Sequence, residues 1–136
     1  MKRVIGPMLL SLGLATACAG TSEYTVRGTP RAASAAGTLQ IEEIEGGNSL
    51  LTLKLRHLPA PQRIGNGLQS YVAWVLPPQG EPVNAGALAF DQTSHEGSVM
   101  ATTALDQFVL QVTAESDAQP TSPSSIVIAE QHIIDN

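Results

Sequence analysis

From Thr38 onward, apolar and polar positions alternate with a period of two. Leu39 and Ile41 alternate with Gln40 and Glu42, and Glu43-Ile44-Glu45 leads into the turn signal Gly46-Gly47-Asn48. In the next run Leu51, Leu53 and Leu55 fall on one side, and Thr52, Lys54 and Arg56 on the other. That alternation predicts an antiparallel sheet with one face in the core and one in water. Leu58-Pro59-Ala60-Pro61 ends the strand, because proline has no N–H to give to a ladder. Residues 71–76 are apolar on both phases and are bounded by Pro77-Pro78, which predicts a central strand covered on both sides. Ala85 to Phe90 places Gly86, Leu88 and Phe90 on one face with alanines on the other. Ser98–Thr103 and Phe108–Thr113 follow, the latter alternating Phe108, Leu110 and Val112 against Gln111 and Thr113. A loop containing Pro120 and Pro123 leads to a last strand from Ser125 to about Ile133.

Seven or eight short strands with turn signals between them predict an all-β, immunoglobulin-like antiparallel β-sandwich. A closed barrel is the alternative. The doubly apolar strand at 71–76 favours two packed sheets, and no strand shows the regular small/large filling of a small barrel. The expected core is Leu53, Trp74, Leu88, Phe90, Phe108, Leu110 and Val112, with the only tryptophan as its largest member. After residue 18 helical periodicity is weak throughout.

The amino-terminal segment has a different pattern. Lys2 and Arg3 precede an apolar run from Val4 to Leu14, which is too short to span a bilayer, and Ala15-Thr16-Ala17 then supplies small side chains before Cys18. Charge, short apolar run and small residues form the layout of a secretory signal. Leu14-Ala15-Thr16-Ala17-Cys18 resembles the lipobox of bacterial lipoproteins, and the resemblance implies cleavage between Ala17 and Cys18 with diacylation of the Cys18 thiol. Acyl chains contribute about 0.8 kcal/mol per buried methylene, so several on one cysteine anchor durably. Ala19 follows the cysteine where an aspartate would signal retention. By the lipoprotein sorting pattern, this implies a place in the cell envelope, at the outer membrane if the cell has one. Residues 19–37 are rich in Ala, Gly, Ser and Thr, and apart from a short strand that Tyr24, Val26 and Arg27 could form they read as a linker. The expected organisation is a signal peptide over 1–17, a lipidated flexible tether over 18–37 and a sandwich over 38–136.

Composition narrows the chemistry. The 136 residues are 43% hydrophobic, 14% charged and 4% aromatic, with a formal net charge of −5, so a single folded domain is expected rather than a coiled coil or a charged disordered chain. Loss of Lys2 and Arg3 with the signal leaves the mature chain more acidic still. No basic cluster is present, which argues against nucleic acid as a partner, since phosphate binding needs grouped Lys and Arg. An acidic domain is repelled by anionic lipid, so membrane attachment falls to the acyl chains. A single cysteine leaves no intramolecular disulfide and no multi-cysteine metal centre.

Reactive constellations are sparse. Glu130 and His132 lie two apart on a strand and share a face, so they offer two metal ligands, and a site would need a third, such as His57 from a neighbouring strand. Nothing local supplies it, and the pair reads first as surface polar residues near a strand end. His95-Glu96-Gly97 reads as a hairpin turn in which glycine takes the positive φ. Asp91 and Asp106 both fall at strand ends, where carboxylates cap turns more often than they act as an acid/base pair. No serine sits in a nucleophile elbow and no glycine-rich loop opens a helix, so no catalytic residue, cofactor or metal is expected. Trp74, Phe90 and Phe108 take the apolar phase of their strands. Tyr71, at the core rim, is the one aromatic expected to show an edge, which is too little for a sugar platform.

From Tyr71 onward the order of residues is more specific. Tyr71-Val72-Ala73-Trp74-Val75-Leu76, Gly80 with Pro82, Ala85-Gly86-Ala87-Leu88, Gly97-Ser98, Leu110-Gln111-Val112-Thr113-Ala114-Glu115 and Pro120-Thr121-Ser122-Pro123 before Ile126 together resemble the C-terminal extracytoplasmic domain of the anti-sigma-K factor family. The resemblance covers about residues 38–134 and implies an immunoglobulin-like sandwich in which Trp74 fills the space between sheets, Gly86 leaves room beside it, and the Pro-Thr-Ser-Pro loop stiffens entry to the last strand. Anti-sigma factors of this family carry a sigma-binding region and a membrane helix ahead of that domain. Here a lipoprotein-like signal stands in that place, so sigma binding does not transfer. The expectation is a non-catalytic envelope lipoprotein whose sandwich serves as a protein-binding, sensory or scaffold module, with a small-molecule or metal-binding module built on Glu130, His132 and His57 as the alternative.

Overall fold

The computed structural model describes residues 20–134; Ala17 and Cys18 lie outside them. Nine strands form two antiparallel sheets: β1 (Thr21–Arg27), β2 (Ala36–Ile44), β3 (Asn48–Arg56), β4 (Ser70–Leu76), β5 (Val83–Ala87), β6 (Ala89–Asp91), β7 (Glu96–Thr103), β8 (Phe108–Glu115) and β9 (Val127–Ile133). One sheet has the order β1-β2-β3-β7-β6 and the other β5-β4-β8-β9, so the fold is the expected all-β sandwich. A single helical turn, α1 (Pro61–Ile64), follows β3, with Pro61 at a position where its missing N–H costs nothing.

The alternation read from the sequence sets the inner faces. Leu39 opposes Leu53 across β2 and β3, Leu53 opposes Val99 across β3 and β7, and Leu51 and Leu55 flank them. From the other sheet come Tyr71, Ala73 and Val75 of β4, then Phe108, Leu110, Val112 and Ala114 of β8. Leu53, Leu88, Phe108, Leu110 and Val112 are buried core residues as expected, while Phe90 is half-buried and packs against the core from β6.

The structure corrects the sequence reading in several places. Residues 21–27, read as part of a tether, form β1, which pairs with β2 along its whole length from Thr21–Glu42 to Arg27–Ala36. Only Val26 of β1 is fully buried and Tyr24 half-buried. An edge strand with two inward side chains carries too few apolar positions to announce itself by period.

The run Ala85–Phe90, read as one strand, changes sheets at Leu88. β5 pairs with β4 and β6 pairs with β7, while the Leu88 N–H still donates to the Tyr71 carbonyl at 2.8 Å. Gly86 permits the crossing. Its φ is +118°, and a Cβ there would lie 3.3 Å from the Val99 methyl of the opposite sheet, so the room it leaves is toward Val99 rather than Trp74.

The β6–β7 turn is displaced from the expected His95-Glu96-Gly97. His95 itself takes the positive φ, at 59°. Gly97 lies within β7, where a Cβ would come within 3.1 Å of both Leu58 and Leu88.

Trp74 is fully buried but does not lie between the sheets. It shares the outer face of its sheet with Val72, opposite to the phase of Tyr71, Ala73 and Val75. Its cover is the 116–126 segment. That segment leaves β8 at Glu115, crosses to β5 where the Asn84 amide donates to the Pro120 carbonyl at 3.1 Å, and returns to β9. The Pro-Thr-Ser-Pro sequence thus belongs to a lid over the indole. A tryptophan on either phase of a doubly apolar strand gives the same sequence pattern, and only the covering loop decides which.

Candidate functional site

Strand β6 is three residues long, and it pairs only with Glu96, Gly97 and Ser98 of β7. Beyond Ser98, β7 continues for five residues, through Thr103, with β3 on one side and no ladder partner among the described residues on the other. Strand β5 is the edge of the second sheet on this same side of the sandwich. The two edges approach at Gly86 and Val99 and then separate. Between Val83–Ala85 and Ala101–Thr103 they leave a cleft of about 340 Å³, floored by Val75 and Leu105. Val83 stands exposed on its rim. Strand edges present rows of N–H and C=O groups that pair readily with another extended chain. The opposite side of the sandwich is closed: Gly28 bridges Ala129, and the Thr29 N–H and hydroxyl donate to the carbonyls of Ile128 and Val127 at 2.8 and 2.7 Å.

The residues singled out from the sequence are not brought together. Glu130 and His132 do share a face, with His132 Nε2 3.8 Å from Glu130 Oε1, but both are exposed, and the Gln111 amide donates to the other Glu130 oxygen at 2.9 Å. His57 directly follows β3, a strand of the other sheet, and its carbonyl accepts from the Ser34 hydroxyl at 3.0 Å. Among the described residues no three His, Cys, Asp or Glu side chains gather around one point, so the metal site built on Glu130, His132 and His57 is not assembled. His57 lies instead with His95 in a shallow depression that also contains Arg63 and Ser94. Both histidines have left-handed backbones, held by hydrogen bonds from the Leu58 N–H to the His95 carbonyl and from Ser34 to His57.

Asp91 caps its turn, accepting from the backbone of Thr93 at 2.8 Å and Ser94 at 3.3 Å. Asp106 precedes β8, at the other end of the sandwich from that turn, so the two carboxylates do not form a pair. Tyr71 is fully buried rather than at the core rim. Its hydroxyl donates to the Pro59 carbonyl, its ring meets Phe90 edge-on at 5.9 Å, and burial pushes its pKa up to about 12.

The buried polar group that sequence reasoning missed is Glu115. It ends β8 beneath the lid and accepts from the Thr113 hydroxyl and, at 2.8 Å, from the Ser124 N–H. The Trp74 indole N–H donates to the same Thr113 hydroxyl at 2.9 Å. Ser124 also donates its hydroxyl to the Ala114 carbonyl at 2.8 Å, so two hydrogen bonds from Ser124 fasten the lid to the end of β8. The sequence signal was a Thr and a Glu two apart on the phase assigned to solvent.

No family model, curated protein or solved structure matches this chain. No helix among the described residues is long and apolar enough to cross a membrane.

Proposed function

We propose that this protein is a non-catalytic, lipid-anchored module of the bacterial cell envelope, held through acylated Cys18, whose sandwich accepts an extended segment of a protein partner along the free edge of β7. The lipobox-like Leu14–Cys18 segment supports the anchor. The likeness of residues 38–134 to the extracytoplasmic half of anti-sigma-K factors supports a sensory or scaffold role outside the cytoplasm.

The observation that carries the reading is the open edge of β7 from Val99 to Thr103, facing β5 across an apolar-floored cleft. An added strand would satisfy the β7 backbone through main-chain hydrogen bonds, with Val83 and Leu105 available to alternate side chains. Main-chain pairing supplies affinity and the cleft supplies selectivity.

A photo-cross-linking side chain at Thr103, read in intact cells, tests this. A discrete adduct is expected that disappears when Val83→Lys and Thr102→Lys are added, because lysines along an edge block pairing without touching the core. An adduct that survives both lysines, or no adduct at all, rejects the edge as the binding surface.

A further inference from the structure

The strands align the molecule so that its two ends differ in chemistry. At one end lie Gly20 and Thr21, the β2–β3 turn with Ile44 and Glu45, the 77–82 loop leading to Val83, the segment around Asp106, and Ile134 after β9. Of the four large apolar side chains most exposed among the described residues, Ile44, Val83 and Ile134 belong to this end, at 40, 57 and 64% exposure, and only Met100 lies elsewhere. The ionised side chains at the same end are acidic: Glu42, Glu43, Glu45, Glu81 and Asp106. Arg27, Arg31, Lys54, Arg56 and Arg63, which are all the basic residues of the described chain, lie in the opposite half.

The Gly20 carbonyl accepts from the Glu43 N–H at 2.9 Å, and only Ala19 separates Gly20 from Cys18. Three residues reach at most about 10 Å, whereas a nine-residue strand such as β2 is roughly 30 Å long.

We infer that the end of the sandwich bearing Ile44 and Ile134 is a lipid-contact end. In the anchored protein it is seated against the bilayer without a leash, and the half bearing the arginines projects away from it. This inference rests on the Cys18 anchor proposed above. The exposed side chains of Ile44 and Ile134, beside the point where the chain meets the membrane, gain from burial in the headgroup region. The carboxylates around them keep the end from adhering to anionic membranes on its own, so contact depends on the covalent anchor.

The test uses the full-length acylated protein in phosphatidylcholine vesicles that carry an energy-transfer acceptor on a fraction of the headgroups. A donor is placed at Glu45→Cys or Gln92→Cys, both exposed and at opposite ends. Transfer is expected to be strong from position 45 and weak from position 92. Inserting about ten Gly/Ser residues between Ala19 and Gly20, which span roughly 15–20 Å, should erase most of that contrast. Ile44→Ser with Ile134→Ser should lower transfer from position 45 while the protein still floats with the vesicles. Equal transfer from both positions in floating protein overturns the seating and leaves the anchor intact. A contrast that survives the insertion overturns the short link as its cause. Failure to float, matched by Cys18→Ser, overturns the anchor and this inference with it.

Discussion

The indole N–H of Trp74 donates to the hydroxyl of Thr113 at 2.9 Å on the outer face of the four-stranded sheet, and Thr113 in turn donates to Glu115. All three side chains are buried beneath the 116–126 lid. Tryptophan needs a partner for its single donor when water is excluded, and threonine can both accept from it and pass a proton donor on to the carboxylate. The arrangement ties a strand of the core sheet to an irregular segment that has few apolar residues of its own.

Thr113→Val removes the middle of this chain at nearly constant volume. It leaves the indole N–H without an acceptor and Glu115 short of a donor, so a loss of about 1–3 kcal/mol is expected in chemical denaturation. Thr113→Ser should retain most of the stability. If valine is tolerated as well as serine, the hydrogen bonds contribute nothing net.

The lid can be loosened without touching the sheet core. Asn84 donates to the Pro120 carbonyl and its own side-chain oxygen accepts from the Gly86 N–H at 2.7 Å. Asn84→Ala should therefore increase acrylamide quenching of Trp74 fluorescence, since the chain has one tryptophan and it is buried in the native state. Quenching that matches the wild type would place the cover of the indole elsewhere.

Tyr71 gives a pH dependence with a definite sign. Burial raises its pKa to about 12, against an ordinary value of 10.0 in the unfolded chain. The native state therefore holds its proton where the unfolded state has lost it. The resulting stability is present in full below pH 10 and drains away as pH rises toward 12. Tyr71→Phe should weaken the fall in stability across that interval, while leaving the Pro59 carbonyl without its donor. An unchanged alkaline profile in the phenylalanine variant would exclude Tyr71 as its source.

Gly86 is the crossing point between sheets, and its backbone at φ +118° suits no L side chain. Gly86→Ala is expected to cost about 1–3 kcal/mol of stability. Val99→Ala should recover only the part due to the 3.3 Å contact, because shortening valine does nothing for the backbone. Complete recovery in the double variant would show that crowding alone was at issue.

The period-two alternation at Leu39–Ile41, Leu51–Leu55 and Phe108–Val112 determined by itself that the domain is built of strands, and which of these side chains point inward. A pleated strand allows no other assignment when one face is wet, and local sequence is then sufficient. The folded structure decided everything that depends on what lies beyond a strand's own neighbours. It made 21–27 a strand through pairing with β2, split 85–90 between two sheets around Gly86, and placed the Trp74 side chain on the outer face of its sheet instead of between the two sheets. It also separated His57 from Glu130 and His132, and gave the side of β7 that faces β5 no ladder partner beyond Ser98 among the described residues. Each of these outcomes is set by non-local contact between segments far apart in the chain, which hydrophobic period does not encode.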